Sequence, residues 1–214
     1  MTAAPVDMAS AGQRLNRLLA AAGQPALHPG QMQRFEAYLA LLTRWNARMN
    51  LTAVRDEDGI LARHFVESIA CARALPAGIA TLLDFGSGAG FPGIPIAICR
   101  SEIAVTLAES QGKKAAFLQE AARVLEVAVK VHAGRAEALQ GQFDCVTLRA
   151  VDRMGAALKA AVALVGPGGW LAPMTTRAEL PGLLAAAGTG FSWSSPVPLP
   201  GGDDRILALA TRNA

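Results

Sequence analysis

Charge is scarce in this chain: only 17% of its 214 residues are charged, which argues against a disordered chain, while 52% are hydrophobic, much of that alanine, a helix former. Cysteine is scarcer still. Cys71, Cys99 and Cys145 form an odd set without metal-ligand spacing, each in an apolar stretch. Buried, reduced thiols are the reading, with neither a disulfide framework nor a metal site. The start, M-T-A-A-P-V-D-M-A-S, has no charged segment followed by an apolar run, so no secretory signal is read from it. The apolar stretch 155–174 carries Lys159 and is broken by G-P-G-G at 166–169, which excludes a membrane span. The N-L-T sequon at Asn50 is then a chance match. Internal repeats and low-complexity tracts are absent. A cytoplasmic monomer with no membrane association is expected.

What is present is enough for one large domain, or a core domain with a small appendage. A chain of this size buries roughly 70% of its unfolded surface and needs no staples. The net charge of +3 is compatible with docking on phosphate-rich RNA, but equally with a small-molecule substrate.

Residues 10–75 read as helices, with breaks at A-G-Q-P (22–25) and H-P-G (28–30). Leu15, Leu18 and Leu19 share one face. Phe35, Tyr38, Leu39, Leu42 and Trp45 share another, and a third helix spans about 57–74. Short apolar runs at 81–85, 104–108, 127–131 and 143–148 then alternate with helical patterns at about 93–100, 112–126 and 152–165. Such alternation specifies βαβ units and a parallel sheet with helices on both faces. A fifth strand falls at 168–174, and segments 193–200 and 205–210 read as a closing strand pair at the sheet edge, where prolines are tolerated. The expectation is an α/β, doubly wound, mostly parallel sheet with an N-terminal helical extension, divided as 1–76 and 77–214.

The strongest motif is D-F-G-S-G-A-G-F-P-G at 84–93, between the first strand and a helix whose first turn takes Pro92. Gly86, Gly88 and Gly90 let the backbone turn sharply and approach a ligand, and the helix N-terminus adds unpaired N–H groups. A dinucleotide fingerprint G-x-G-x-x-G counted from Gly86 needs a third glycine where Phe91 stands. No Gly-Lys-Ser/Thr follows, which excludes a Walker loop. An acid, a spacer and G-x-G-x-G is similar to the first motif of Rossmann-like methyltransferases, so S-adenosylmethionine is favoured over a nicotinamide cofactor. Glu109 follows the second strand at the spacing of a ribose-binding carboxylate, which either ligand would use. G-R-A-E at 134–137 follows the third strand, where backbone N–H groups and Glu137 can meet an adenine ring. Arg149 ends the fourth strand, at the edge where open α/β sheets bind ligands.

Acceptor chemistry is narrowed by two further absences. Amino-directed base methyltransferases resemble one another in an Asn/Asp-Pro-Pro-aromatic motif after the fourth strand, where this chain has L-R-A-V-D (148–152). Cytosine-C5 enzymes need a nucleophilic cysteine, typically after proline, whereas Cys71, Cys99 and Cys145 follow Ala70, Ile98 and Asp144. What remains is direct transfer to an already nucleophilic atom. Guanine N7 fits, because its lone pair carries no proton. No proton-transfer catalyst is therefore expected; His64 and Arg149 are candidate orienters.

Several blocks carry a more specific resemblance: W-N-A-R-M-N-L-T-A-V-R-D (45–56), R-H-F-V-E-S (63–68), D-F-G-S-G-A-G-F-P-G-I-P (84–95), L-A-E-S-Q-G-K-K (107–114) and L-R-A-V (148–151). Together they resemble the bacterial 16S ribosomal RNA guanine-N7 methyltransferase family, also called glucose-inhibited division protein B, over about residues 15–209. The resemblance implies a class I methyltransferase fold and S-adenosylmethionine held by Gly86, Phe91, Ala136, Glu137 and Arg149, with Glu109 at the ribose. It implies a guanine in the decoding-region loop of 16S rRNA as the acceptor, and the small ribosomal subunit as partner. Where relatives tend to show Lys-Gly after the fifth strand, this chain reads P-M-T-T-R (173–177), with Arg177 as the nearest substitute. Arg44, Arg48, Arg55, Arg63, Lys113 and Lys114 are candidate phosphate contacts by charge. His132 reads as structural, His28 as solvated, and Phe35 and Trp45 as core anchors. A small-molecule methyltransferase and a non-catalytic adenine-nucleotide or RNA-binding module remain the alternatives.

Overall fold

The computed structural model describes residues 9–150 and 154–213. Helix α1 (Ala11–Ala21) begins in a reciprocal capping box between Ser10 and Gln13. Helix α2 (Pro29–Asn46) begins with proline at its first position, and His28 Nδ1 accepts the Gly30 N–H at 3.0 Å. His28 is thus a helix cap as well as an exposed side chain. Next come α3 (Glu57–Ile60), a π turn (Leu61–Val66) and α4 (Glu67–Ala74), continuous along the span expected as one helix. The π turn has no counterpart in the sequence expectation.

The rest alternates. β1 (Thr81–Phe85), α5 (Gly93–Cys99), β2 (Ala104–Glu109), α6 (Gly112–Val124) and β3 (Val129–Ala133) make the first half; β4 (Phe143–Arg149), α7 (Met154–Leu164) and β5 (Val165–Thr176) make the second. After these come α8 (Leu180–Ala187), β6 (Phe191–Trp193), β7 (Val197–Pro198), β8 (Arg205–Leu207) and β9 (Ala210–Arg212). The sheet order is β3-β2-β1-β4-β5-β8-β7, with β9 pairing β5 and β6. β1 to β5 are parallel; β6 to β9 close the edge antiparallel. Strand order reverses between β1 and β4, the switch point at which ligands of open α/β sheets bind.

Period-two alternation assigns the two faces. Leu82 of β1 points into a cluster with Ile94 of α5, Phe117 of α6 and the apolar faces of α1, α2 and α4. Its neighbour Leu83 points into a second cluster under α7 and α8, with Leu158, Ala161 and Leu183. In the first cluster Phe35, Tyr38, Phe65 and Phe91 form a connected stack, with Tyr38 centred 5.1 Å from Phe65 and 5.4 Å from Phe91. Such pairs add roughly 0.5–1.5 kcal/mol each beyond area burial. They seat the N-terminal helices on the sheet. Phe35 is buried, and half-buried Trp45 packs edge-on to Phe117, as core anchors.

Several boundaries differ from expectation. β3 starts two residues later than the apolar run, because Glu126 takes φ 51° in the turn leaving α6. β5 starts at Val165, directly after α7, and absorbs G-P-G-G as an irregularity: Phe143 pairs Val165, whereas Cys145 pairs Trp170. Helix α8, with proline in its first turn, has no counterpart in the sequence expectation. The closing pair is present, each member split in two. Pro92 caps α5 from outside rather than sitting in its first turn, and the Phe91–Pro92 peptide is cis. Cys71 and Cys145 are buried and Cys99 half-buried; burial pushes the Cys71 and Cys99 thiols up to about 12, so they are poor nucleophiles at neutral pH. Among the described residues, no three His, Cys, Asp or Glu side chains converge as a metal site, and no helix is long and apolar enough to cross a membrane.

Candidate active site

The loop after β1 is held from beneath. Gly86 and Ser87 both donate their N–H groups to Ala108 O at 3.0 Å, which pins the turn to the end of β2. Ser87 Oγ donates to Asp84 O, and Gly93 N–H donates to Asp84 Oδ2 at 3.0 Å, tying the loop to the start of α5. Two glycines do different work. At Gly90 (φ 93°) a Cβ would lie 2.7 Å from Tyr38 Oη and 2.5 Å from Ile94 Cδ1, so packing demands glycine. At Gly88 (φ 56°) the nearest atom would be 4.0 Å away. This face is open. Tyr38, the only tyrosine in the chain, donates its buried hydroxyl to Ala89 O and so braces the loop from α2.

In front of the loop is a cleft of about 720 Å³. Gly86, Gly88, Phe91, Glu109, Ala136, Glu137 and Arg149 all line it, together with His64 and Thr52. Glu109 closes β2. Its Oε2 accepts Gly88 N–H and its Oε1 accepts Gln111 N–H, both at 2.8 Å. Beyond β3 a single 3₁₀ turn (Ala136–Ala138) carries Glu137, whose own backbone N–H, followed by Arg135 at 2.6 Å, holds its carboxyl below the usual range.

The opposite wall is made of side chains. Arg149 Nη2 donates to Glu67 Oε2 at 2.8 Å and to Arg63 O, in the π turn, at 2.9 Å. It also lies 3.2 Å from His64 Nδ1, and Nη1 reaches Ser68 Oγ at 3.3 Å. Glu67 is 1% exposed and also pairs with Arg205 at 3.2 Å. A buried arginine is tolerated only with such partners. Burial, then the charge of Arg149, lowers the His64 pKa to about 3, so the imidazole is neutral at any physiological pH. Its ring stacks on Phe91, with centroids 4.9 Å apart.

Several site residues were not singled out as such in the sequence: Tyr38, Thr52 and Glu67, while Asp84 entered only as the acid of the glycine motif. The spacing of Arg63, His64, Glu67 and Ser68 along one helical face was the available signal. Of the candidate phosphate contacts, Lys114 lines the cleft. Arg48, Arg63 and Lys113 are exposed; Arg44 pairs with Glu120, and Arg55 is bound to Asn46 O and Asn50. Arg177 is exposed at the end of β5, outside the cleft lining. His132 is held to Arg135 O, a structural role. The part of L-R-A-V-D at 151–152 lies outside the described residues.

These residues fit a cationic sulfonium nucleoside. The glycine face is open, carboxylates stand at the ends of β2 and beyond β3, His64 is uncharged and the Arg149 charge is balanced by Glu67. Asp84, fully buried at the base of the loop, leaves Oδ1 without a partner, and burial raises its pKa to about 7. Fold and cleft define a class I methyltransferase whose methyl donor is S-adenosylmethionine.

Comparison with known proteins narrows the class. The structure is similar to a methyltransferase from Pyrococcus furiosus, at a TM-score of 0.63 and 14% identity over 85% of this chain and 99% of that one, a likeness of fold alone. The family model for rRNA small subunit methyltransferase G matches residues 31–180. Ribosomal RNA small subunit methyltransferase G of Roseiflexus castenholzii is 39% identical over 86% of this chain and 84% of its own length. The enzyme of that name from Roseiflexus sp. RS-1 is 47% identical over 58% of this chain, a match that spans 56% of that relative. The chain belongs to the rRNA small subunit methyltransferase G family.

Proposed function

We propose that this chain transfers a methyl group from S-adenosylmethionine to N7 of one guanine in 16S rRNA of the small ribosomal subunit, by direct in-line displacement and as a cytoplasmic monomer. The observation that carries the reading is a cleft whose candidate proton acceptors are already committed. Glu109 accepts two N–H groups, Glu137 is paired with Arg135, and His64 is hydrogen-bonded at both nitrogens and too weak a base to take a proton. Such a site suits an acceptor with no proton to lose. The chemistry supplied by the bound donor is a methyl on a sulfonium: the N7 lone pair takes the methyl, the C–S electron pair returns to sulfur, and the positive charge passes to the base.

Residues of this chain then act by holding. Gly86 and Gly88 admit the donor closely, Glu109 grips the ribose hydroxyls, and Ala136 and Glu137 meet the adenine. Phe91 walls the donor, and Arg149 orients it with its charge already balanced by Glu67. Neutral His64 adds no repulsion to a cationic reactant. Holding methyl and N7 in line at roughly 3–3.5 Å accounts for the rate without a base. Residues 77–214 form the donor-binding domain, and the N-terminal element, 1–76, completes the acceptor wall through Thr52, His64 and Glu67. Lys114 at the cleft and the exposed Arg48, Arg63 and Lys113 meet phosphates, an interaction that weakens with salt.

The test is incubation with methyl-labelled donor and unmodified small subunits, followed by mass spectrometry of the rRNA. Label on N7 of a single 16S guanine is expected. Donor binding without transfer would point to a non-catalytic module, and labelling of a small molecule in the absence of RNA to the other alternative.

A further inference from the structure

Thr52 faces the cleft from the connection between α2 and α3. Its Oγ1 lies 2.7 Å from His64 Nε2 and accepts Val54 N–H at 3.2 Å. The direction of the bond to His64 is set on the far side of the imidazole. There Nδ1 faces Arg149 Nη2 at 3.2 Å, and a guanidinium carries donors only. Nδ1 is therefore an acceptor. A neutral ring then carries its one proton on Nε2, pointing at Thr52. Thr52 Oγ1 thus receives two N–H groups, which fill its two lone pairs. Its own O–H remains, with no acceptor in the hydrogen bonds of the described residues.

We infer that Thr52 is a specificity-determining residue, a hydroxyl locked as a donor that reads O6 of the target guanine and rejects adenine. This rests on the guanine-N7 reading above. Next to N7, guanine offers the O6 acceptor where adenine offers the N6 amino donor. A freely rotating hydroxyl serves either base; one whose lone pairs are filled meets the adenine amino group donor to donor. Glu67, Arg149 and His64 are then positioning residues that set the polarity of Thr52, which explains a buried ion pair beside a neutral histidine better than packing does.

The test compares kcat/KM on reconstituted small subunits carrying guanine or adenine at the mapped target, alongside donor affinity by calorimetry. Thr52→Val should lose about 10- to 100-fold on guanine and little on adenine, so discrimination falls by the same factor. Thr52→Ser, which keeps the hydroxyl, should stay within about threefold of wild type. Donor affinity should be unchanged in both. His64→Phe keeps a ring against Phe91 but frees one Thr52 lone pair, so it should raise adenine relative to guanine even if Thr52→Val folds poorly. A guanine-to-adenine ratio unmoved by these changes overturns the inference, as does a Thr52→Val loss confined to donor affinity. Absence of label from the wild-type chain on guanine subunits would overturn the parent reading instead, and this one with it.

Discussion

The two walls of the cleft are built from different materials. The donor wall is mostly backbone: the turn through Gly86, Ser87 and Gly88, the ends of β1 and β2, and carboxylates fixed by main-chain N–H groups. The acceptor wall is side chains bound to side chains, with Thr52, His64, Glu67 and Arg149 drawn from three segments and Arg205 from a fourth. Backbone geometry follows from a short stretch of sequence and fails by steric conflict. A side-chain network needs every member and fails by leaving a buried charge alone. The walls therefore differ in how they should break.

The acceptor wall should break hardest. Glu67→Gln leaves the Arg149 guanidinium, 7% exposed, without its counter-charge, and should cost about 3–5 kcal/mol in denaturant unfolding. A double change of Glu67→Leu with Arg149→Met should recover most of that stability while still abolishing methyl transfer, since a paired apolar replacement restores packing but not the site. A loss under about 1 kcal/mol for Glu67→Gln would erase the contrast between the walls.

On the donor wall the largest effect is pH-dependent. The folded Asp84 carboxyl titrates at about 7 against 3.8 in the free group. Between these values the unfolded chain has released the proton and the folded chain keeps it. The Asp84 contribution to stability therefore falls as pH rises from about 4 to 7, at up to roughly 1.4 kcal/mol per pH unit, and levels off above. His64 contributes the opposite slope: with a folded pKa of about 3 against 6.5 in the free group, the unfolded chain binds a proton that the folded chain excludes, so its contribution rises with pH from about 3 to 6.5. Asp84→Asn should remove the falling contribution and leave the rising one of His64 in unfolding curves taken across the range.

Gly90→Ala forces a methyl against Tyr38 and Ile94 at positive φ, and should cost roughly 1–3 kcal/mol with weakened donor binding. Tyr38→Phe removes only the hydrogen bond to Ala89 O, and should cost about 1–2 kcal/mol while moving donor affinity in the same direction. Unfolding and calorimetry on the two variants separate packing of the loop from its bracing.

Legibility in the sequence follows the same division. The donor wall could be read residue by residue, because strand, acid, glycines and helix follow one another within 84–93 and each signal is local. The parallel sheet followed from alternation of apolar runs and amphipathic stretches; boundaries set by turns moved, β3 behind Glu126 and β5 across its glycines, while α8 and the π turn had no counterpart in the expectation. The acceptor wall resisted because its logic is relational. Glu67 in a helix looks like any solvated acid, and Thr52 like any loop residue, until Arg149 arrives from a strand more than eighty positions away. His28 shows the same on a small scale, since nothing but geometry distinguishes a solvated histidine from one capping a helix.

The central claim is that the glycine turn admits S-adenosylmethionine. Its most direct test is calorimetric titration of that donor, and of a nicotinamide dinucleotide, into the wild-type chain and into Gly86→Asp, which puts a carboxylate at a φ of 74° on the cleft lining. One site for S-adenosylmethionine, none for the dinucleotide, and no binding to a folded Gly86→Asp is the predicted outcome. Equal affinity of both proteins for the donor, or a site that takes the dinucleotide instead, would contradict it.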